Sequence, residues 1–147
     1  MIDLSSFITP TAAVLSMSYA ALTVTEATMQ QIAPAIEGRG AVYGEVRPGE
    51  TVDVSWEITK RTECEGINKR VWRGEDGFSL VEAEKPTTLP ASDRAIMYPI
   101  PTSVPTYAPF GSLRLTIEGY YKCPGQAPDY FTLGPVDMEV VPWREGR

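Results

Sequence analysis

One stretch, Ser112 to Cys123, reads SLRLTIEGYYKC and alternates throughout. Leu113, Leu115, Ile117, Gly119, Tyr121 and Cys123 fall on one side of an extended chain. Ser112, Arg114, Thr116, Glu118, Tyr120 and Lys122 fall on the other. A period of two held over the whole stretch predicts a long strand, with one face on a core and one in water. The buried row ends in a thiol.

A second alternation runs from Thr51 to Ile58. Val52, Val54, Trp56 and Ile58 point one way; Thr51, Asp53, Ser55 and Glu57 point the other. Carried past Lys60, the same parity reaches Cys64. Two inward rows of this kind predict a shared interior between sheets. The other segments read as short strands and turns. Ala41–Val46 is a strand ending at Arg47-Pro48-Gly49-Glu50, where Pro-Gly signals a type II turn. Glu65–Arg70 reads as a loop, Val71–Arg73 as a short strand and Gly74–Gly77 as a turn. Phe78–Ala83 is a strand, and Glu84–Asp93 a connection with two prolines. Arg94–Ile100 carries Pro99, so it belongs at an edge. Pro101–Gly111, with Pro101, Pro105 and Pro109, reads as extended and stiff. The last strand, Tyr130–Val141, is broken at Gly134-Pro135. About seven strands, with no helical period among them, predict an all-β fold: a seven-stranded sandwich, with a small barrel as the other option. The domain covers 41–143, with 144–147 as a loose tail.

The segments Pro48-Gly49-Glu50 into Val52–Trp56, then Trp72, then Tyr121-Lys122-Cys123 resemble immunoglobulin-like domains. The Tyr-x-Cys spacing is similar to a tyrosine corner followed by the second disulfide cysteine of that family. The resemblance implies an immunoglobulin-like sandwich over residues 41–141. The chain departs from the family at its first cysteine: Trp56 stands where that cysteine is expected, and Cys64 lies eight residues later. A Cys64–Cys123 disulfide would therefore lie toward one end of the sandwich. Both cysteines have inward parity, which permits a bond but leaves buried free thiols open. A bond would contribute about 4 kcal/mol in the chain-entropy model and would point to an oxidising compartment or an extracellular particle.

From Leu4 to Thr25 there is no charged residue. That length can span a hydrocarbon core, yet the segment is rich in Ser and Thr. Thr9 and Pro10 can open a helix that stops before Pro34. A cleaved signal would need a basic start, and Met1–Ser6 has none. Two readings stay open for residues 1–35: a membrane anchor, or an apolar arm packed on another protein. Residues 36–40, with Gly38 and Gly40, read as a linker.

The chain has 147 residues, 13 basic against 19 acidic, a net charge of −6 and no histidine. An acidic surface argues against a nucleic-acid partner. Without histidine the commonest general base and metal ligand are gone, and two cysteines alone do not make a zinc site. No nucleophile motif is present, so the expectation is no catalytic residue, no metal and no cofactor. A hydrolase built on paired carboxylates would need a cleft that nothing in the sequence signals. Gly77–Glu82 resembles a prepilin cleavage motif, but Ala83-Glu84-Lys85-Pro86 follows where that family has a hydrophobic helix.

Two groups are candidate interfaces. Tyr98, Tyr107 and Phe110 lie in or beside the proline-rich connection, where exposed aromatics can anchor a partner. Lys69, Arg70 and Arg73 belong to a basic stretch interleaved with Glu63, Glu65, Glu75 and Asp76. That stretch is a self-compensating surface or a contact for an acidic partner or polyanionic host glycan. The layout, an uncharged front and one sandwich, resembles small phage-encoded virion and surface proteins. It implies a non-enzymatic structural protein in an oligomeric assembly: a minor capsid, decoration or surface component held by residues 1–35. The alternative is a membrane-anchored binding domain facing the periplasm or exterior.

Overall fold

A computed structural model describes residues 33–144. The whole of the uncharged segment Leu4–Thr25, and with it the choice between arm and anchor, lies outside the described residues. Nine strands follow in order: β1 (Ile36–Ala41), β2 (Glu45–Val46), β3 (Thr51–Lys60), β4 (Glu65–Gly74), β5 (Ser79–Val81), β6 (Lys85–Pro86), β7 (Ile96–Ser103), β8 (Gly111–Lys122) and β9 (Asp129–Val140). One sheet has the order β1-β3-β7. The other runs β2-β9-β8-β4-β5, with β6 also paired to β4. All pairings are antiparallel except β2 with β9. Two sheets around one core are the arrangement of a β-sandwich.

Both predicted inward rows are buried. Val54, Trp56 and Ile58 of β3 meet Leu113, Leu115, Ile117 and Tyr121 of β8 in one cluster, with Trp72 of β4 and Leu133, Val136, Met138 and Val140 of β9. The Trp72 indole N–H donates to Glu82 Oε1 at 2.8 Å, so its one polar atom is satisfied. β7 lies at a sheet edge, as its prolines require.

Three readings are corrected. There are nine described strands instead of seven, because the expected linker forms most of β1, the first expected strand at 41–46 is reduced to β2, and the connection after β5 contributes β6. The expected linker at 36–40 is most of β1, paired with β3 from Ile36↔Lys60 to Ala41↔Ser55. Its glycines serve close packing instead of flexibility: a Cβ at Gly40 would stand 2.6 Å from Val136 Cγ2 and 2.8 Å from Trp56 Cε3. The expected loop at 65–70 is the first half of β4, a ten-residue strand. Its inward positions are Gly66, Asn68 and Arg70, so no apolar alternation announces it. Gly66 is needed there because a Cβ would lie 2.3 Å from Tyr121 Cε1.

The Gly134-Pro135 break leaves β9 continuous. The bond is cis. Ile117 faces Leu133 while Leu115 faces Val136, so β9 carries one extra residue here. This bulge restores the inward parity of Val136, Met138 and Val140 beyond the break.

Candidate functional site

The sandwich has two distinct ends. At one, the chain enters: Ile36 pairs with Lys60, and Arg61 N–H donates to Ala35 O at 2.7 Å. Cys64 and Cys123 form a disulfide at this end, Cα–Cα 5.1 Å. They sit just outside the Glu65↔Lys122 pair, so the bond joins neighbouring strands of one sheet. An immunoglobulin-type bond would cross between sheets.

Beside the disulfide, Lys60 is buried. Its Nζ donates to Leu89 O at 2.7 Å and lies 5.2 Å from the centre of the Tyr121 ring. Tyr121 is only 1% exposed, and its other face stacks on Phe131 at 5.2 Å between centroids. Its hydroxyl has no hydrogen-bond partner, where a tyrosine corner would bond it to backbone. Burial raises the pKa of this phenol; the Thr87 side chain, close enough to interact with the hydroxyl though not in hydrogen-bonding geometry, acts against the rise.

The opposite end is built from four segments. The turn after β2 is closed by Glu50 N–H to Arg47 O at 3.0 Å, with Gly49 at φ +78° as a type II turn demands. Gly49 N–H donates to Val104 O and Val104 N–H to Glu50 O, which ties this turn to the segment after β7. That segment is anchored by buried Val104 and Ala108 and closed by Ala108 N–H to Pro105 O. A 3₁₀ turn, Glu75–Gly77, abuts the start of β8, where the Glu75 carboxylate accepts from Ser112 N–H at 3.3 Å. Beyond β9, the Trp143 indole donates to Pro48 O at 3.1 Å, and the Arg47 guanidinium lies 5.5 Å from its ring centre.

These anchored loops present aromatic surface to water. Tyr107 is 90% exposed, Phe110 59% and Trp143 62%. A groove of about 440 Å³ runs beside Tyr107, walled by Phe78, Leu80, Val104 and Pro105. Large apolar side chains held out on ordered backbone are the usual raw material of a protein contact, because little conformational freedom is lost on binding.

The predicted interface residues separate. Tyr107 and Phe110 share this tip. Tyr98 does not: it lies on β7 opposite Trp56, half-buried against the core. The basic stretch is divided by strand parity. Lys69 and Arg73 are on the outer face of the larger sheet, Lys69 opposite Glu118 and Arg73 with its guanidinium 3.9 Å from that carboxylate. Arg70 turns inward, 3.9 Å from Glu82 and 3.4 Å from Pro101 O. Glu82 and Glu118 thus answer these charges. Trp143 joins the tip without having been a candidate; an aromatic just past the last alternating strand is the signal that points to it. Among the described residues, no group of Cys, Asp and Glu side chains converges as a cation site, and no helix is long and apolar enough to cross a membrane.

No family model, curated protein or solved structure matches the chain.

Proposed function

We propose that this protein is a non-enzymatic interaction module, held in a larger assembly by residues 1–35 and offering its aromatic tip to a protein partner. One observation carries the reading: Tyr107, Phe110 and Trp143 stand exposed on braced loops at the end away from the chain entry. Attachment at one end and an apolar tip at the other suit a domain that bridges two partners. The absence of histidine from the whole chain is consistent with a structural role. The setting we favour is a phage particle, on the strength of the layout: an uncharged front and a single sandwich. In plan the domain is immunoglobulin-like, with the disulfide moved into one sheet.

The test compares the full chain with a form starting at Pro34, since Pro34–Arg147 is a compact unit of its own. The full chain is expected to sediment as an oligomer or with its assembly, and the shorter form as a monomer. A photo-crosslinker replacing Tyr107 should capture a neighbour in the assembled material, whereas one replacing Asp137 on the sheet face should not. A full chain that stays monomeric without detergent overturns the reading.

The uncharged run Leu4–Thr25 supports a second reading, a membrane-anchored domain facing the periplasm or exterior. Carbonate extraction separates the two: an anchor stays with the lipid and a protein-packed arm is released.

A further inference from the structure

The outer face of the larger sheet carries an ordered two-by-three grid of side chains. Register aligns Ile67, Tyr120 and Tyr130 in one row across β4, β8 and β9. The adjacent row, two residues along each strand, is Lys69, Glu118 and Thr132. An apolar row therefore lies beside a row of hydrogen-bonding groups, separated by about 6.6 Å, the two-residue repeat of a strand. The two tyrosine rings are 5.7 Å apart between centroids and tilted by 51°, and Tyr130 is 75% exposed. Together with Glu84, these residues line an open hollow of about 270 Å³.

The charges of the hollow are nearly balanced. Lys69 lies opposite Glu118, and Arg73 approaches Glu118 from outside at 3.9 Å. Counting that outer arginine, Lys69 and Arg73 offset Glu118 and Glu84. A strongly anionic or cationic ligand gains little net attraction here. A neutral ligand with one apolar face and an edge of hydroxyls gains on both rows: C–H groups pack on the tyrosine faces, while Lys69, Glu118 and Thr132 supply donors and acceptors. The volume, just below the roughly 300 Å³ lower bound of drug-sized pockets, suits about one ring.

We infer that this hollow binds a neutral sugar ring, such as a terminal residue of an uncharged surface glycan. The site is on a sheet face, distinct from the aromatic tip, and does not depend on the tip's proposed role. It also differs from a polyanion contact, which would require uncompensated basic charge.

The test applies the full chain to an array of neutral glucose-, galactose-, mannose- and N-acetylglucosamine-terminated oligosaccharides, with sialylated and sulfated glycans alongside. Hits are followed by titration calorimetry with the corresponding free disaccharide. Binding to at least one neutral class is expected, changing less than twofold between low and physiological salt. Tyr130→Ala should weaken it at least tenfold, Tyr130→Phe should retain it within about threefold, and Lys69→Ser should weaken it severalfold. Melting curves check that each variant is folded; if Tyr130→Ala is not, Lys69→Ser and Tyr130→Phe decide. No neutral binding, binding confined to acidic glycans and lost with salt, or neutral binding indifferent to these variants would each overturn the inference. Loss of oligomerisation in the full chain would leave it untouched.

Discussion

Removing one oxygen atom tests the packing of the disulfide end. The Tyr121 ring is held by Phe131, by Lys60 and by the missing side chain of Gly66, while its hydroxyl is buried without a partner. A buried, unsatisfied hydroxyl costs about 1–3 kcal/mol relative to one left in water. Tyr121→Phe keeps the ring, the stack and the cation–π contact, and opens no cavity of note. The variant should therefore be more stable by about 1 kcal/mol. With a urea slope of about 2 kcal/mol/M for a domain of this size, the unfolding midpoint rises by about 0.5 M. Tryptophan fluorescence reports the transition, with the disulfide intact in both proteins.

The pH dependence supplies a second reading from the same pair. Burial raises the folded-state pKa of Tyr121 above its ordinary value of 10.0. The folded state then holds its proton more tightly than the unfolded chain does. The stability this contributes is fully present below the unfolded pKa and is lost as pH rises through the folded one. A phenylalanine at this position has no proton to lose, so the variant's advantage should widen above about pH 10. A Tyr121→Phe protein less stable by about 1 kcal/mol or more at pH 7 would refute the reasoning. It would mean that the hydroxyl is bonded in solution, to the neighbouring Thr87 side chain or to backbone as in a true tyrosine corner.

Three further outcomes follow from packing. Replacing Cys64 and Cys123 together by serine frees a loop with a sequence separation of 59. It should cost about 4 kcal/mol in the chain-entropy model, read as a fall in urea midpoint against the oxidised parent; an unchanged midpoint would contradict it. Gly66→Ala should cost about 2–3 kcal/mol by overpacking against Tyr121, whereas Gly125→Ala, with open space around it, should show only its left-handed backbone penalty of about 1 kcal/mol; equal losses would sink the packing argument. Trp72→Phe removes the indole donor from Glu82, which keeps Arg70 and Lys85 beside its other oxygen, and shrinks a fully buried side chain, so a loss of about 2–3 kcal/mol, most of it from the packing, is expected in thermal or urea melts.

What the sequence made legible depended on which faces were apolar. β3 and β8 could be read residue by residue because each alternates apolar with polar side chains and lies between a core and water. The first half of β4, ahead of the strand read at Val71–Arg73, could not. Its inward face holds Gly66, Asn68 and Arg70, because Tyr121 and a half-buried ion pair fill the space an aliphatic row would take. The same logic hid β1, where Gly38 and Gly40 look like linker residues until Glu57 and Ile58 are placed against the first and Trp56 and Val136 against the second. Small residues in a strand and small residues in a linker are indistinguishable without the neighbour that needs the room. The disulfide pairing was within reach because only two cysteines exist. That it joins strands of one sheet was not, since it depends on β4 pairing with β8.

The interface residues divide along the same line. Tyr107 and Phe110 could be suspected because prolines surround them and no alternation pulls them inward. Lys69, Arg70 and Arg73 look like one patch in sequence, but an extended chain sends consecutive side chains to opposite faces, and a basic run in a strand is not a basic surface. Tyr120 and Tyr130 are the converse case: ten residues apart in sequence, they become direct neighbours through the β8–β9 register. A strand pairing thus dissolves one apparent site and assembles another. For an all-β chain of this kind, ligand chemistry is best sought in rows across strands, because the cross-strand row is the unit a ligand meets on a sheet face.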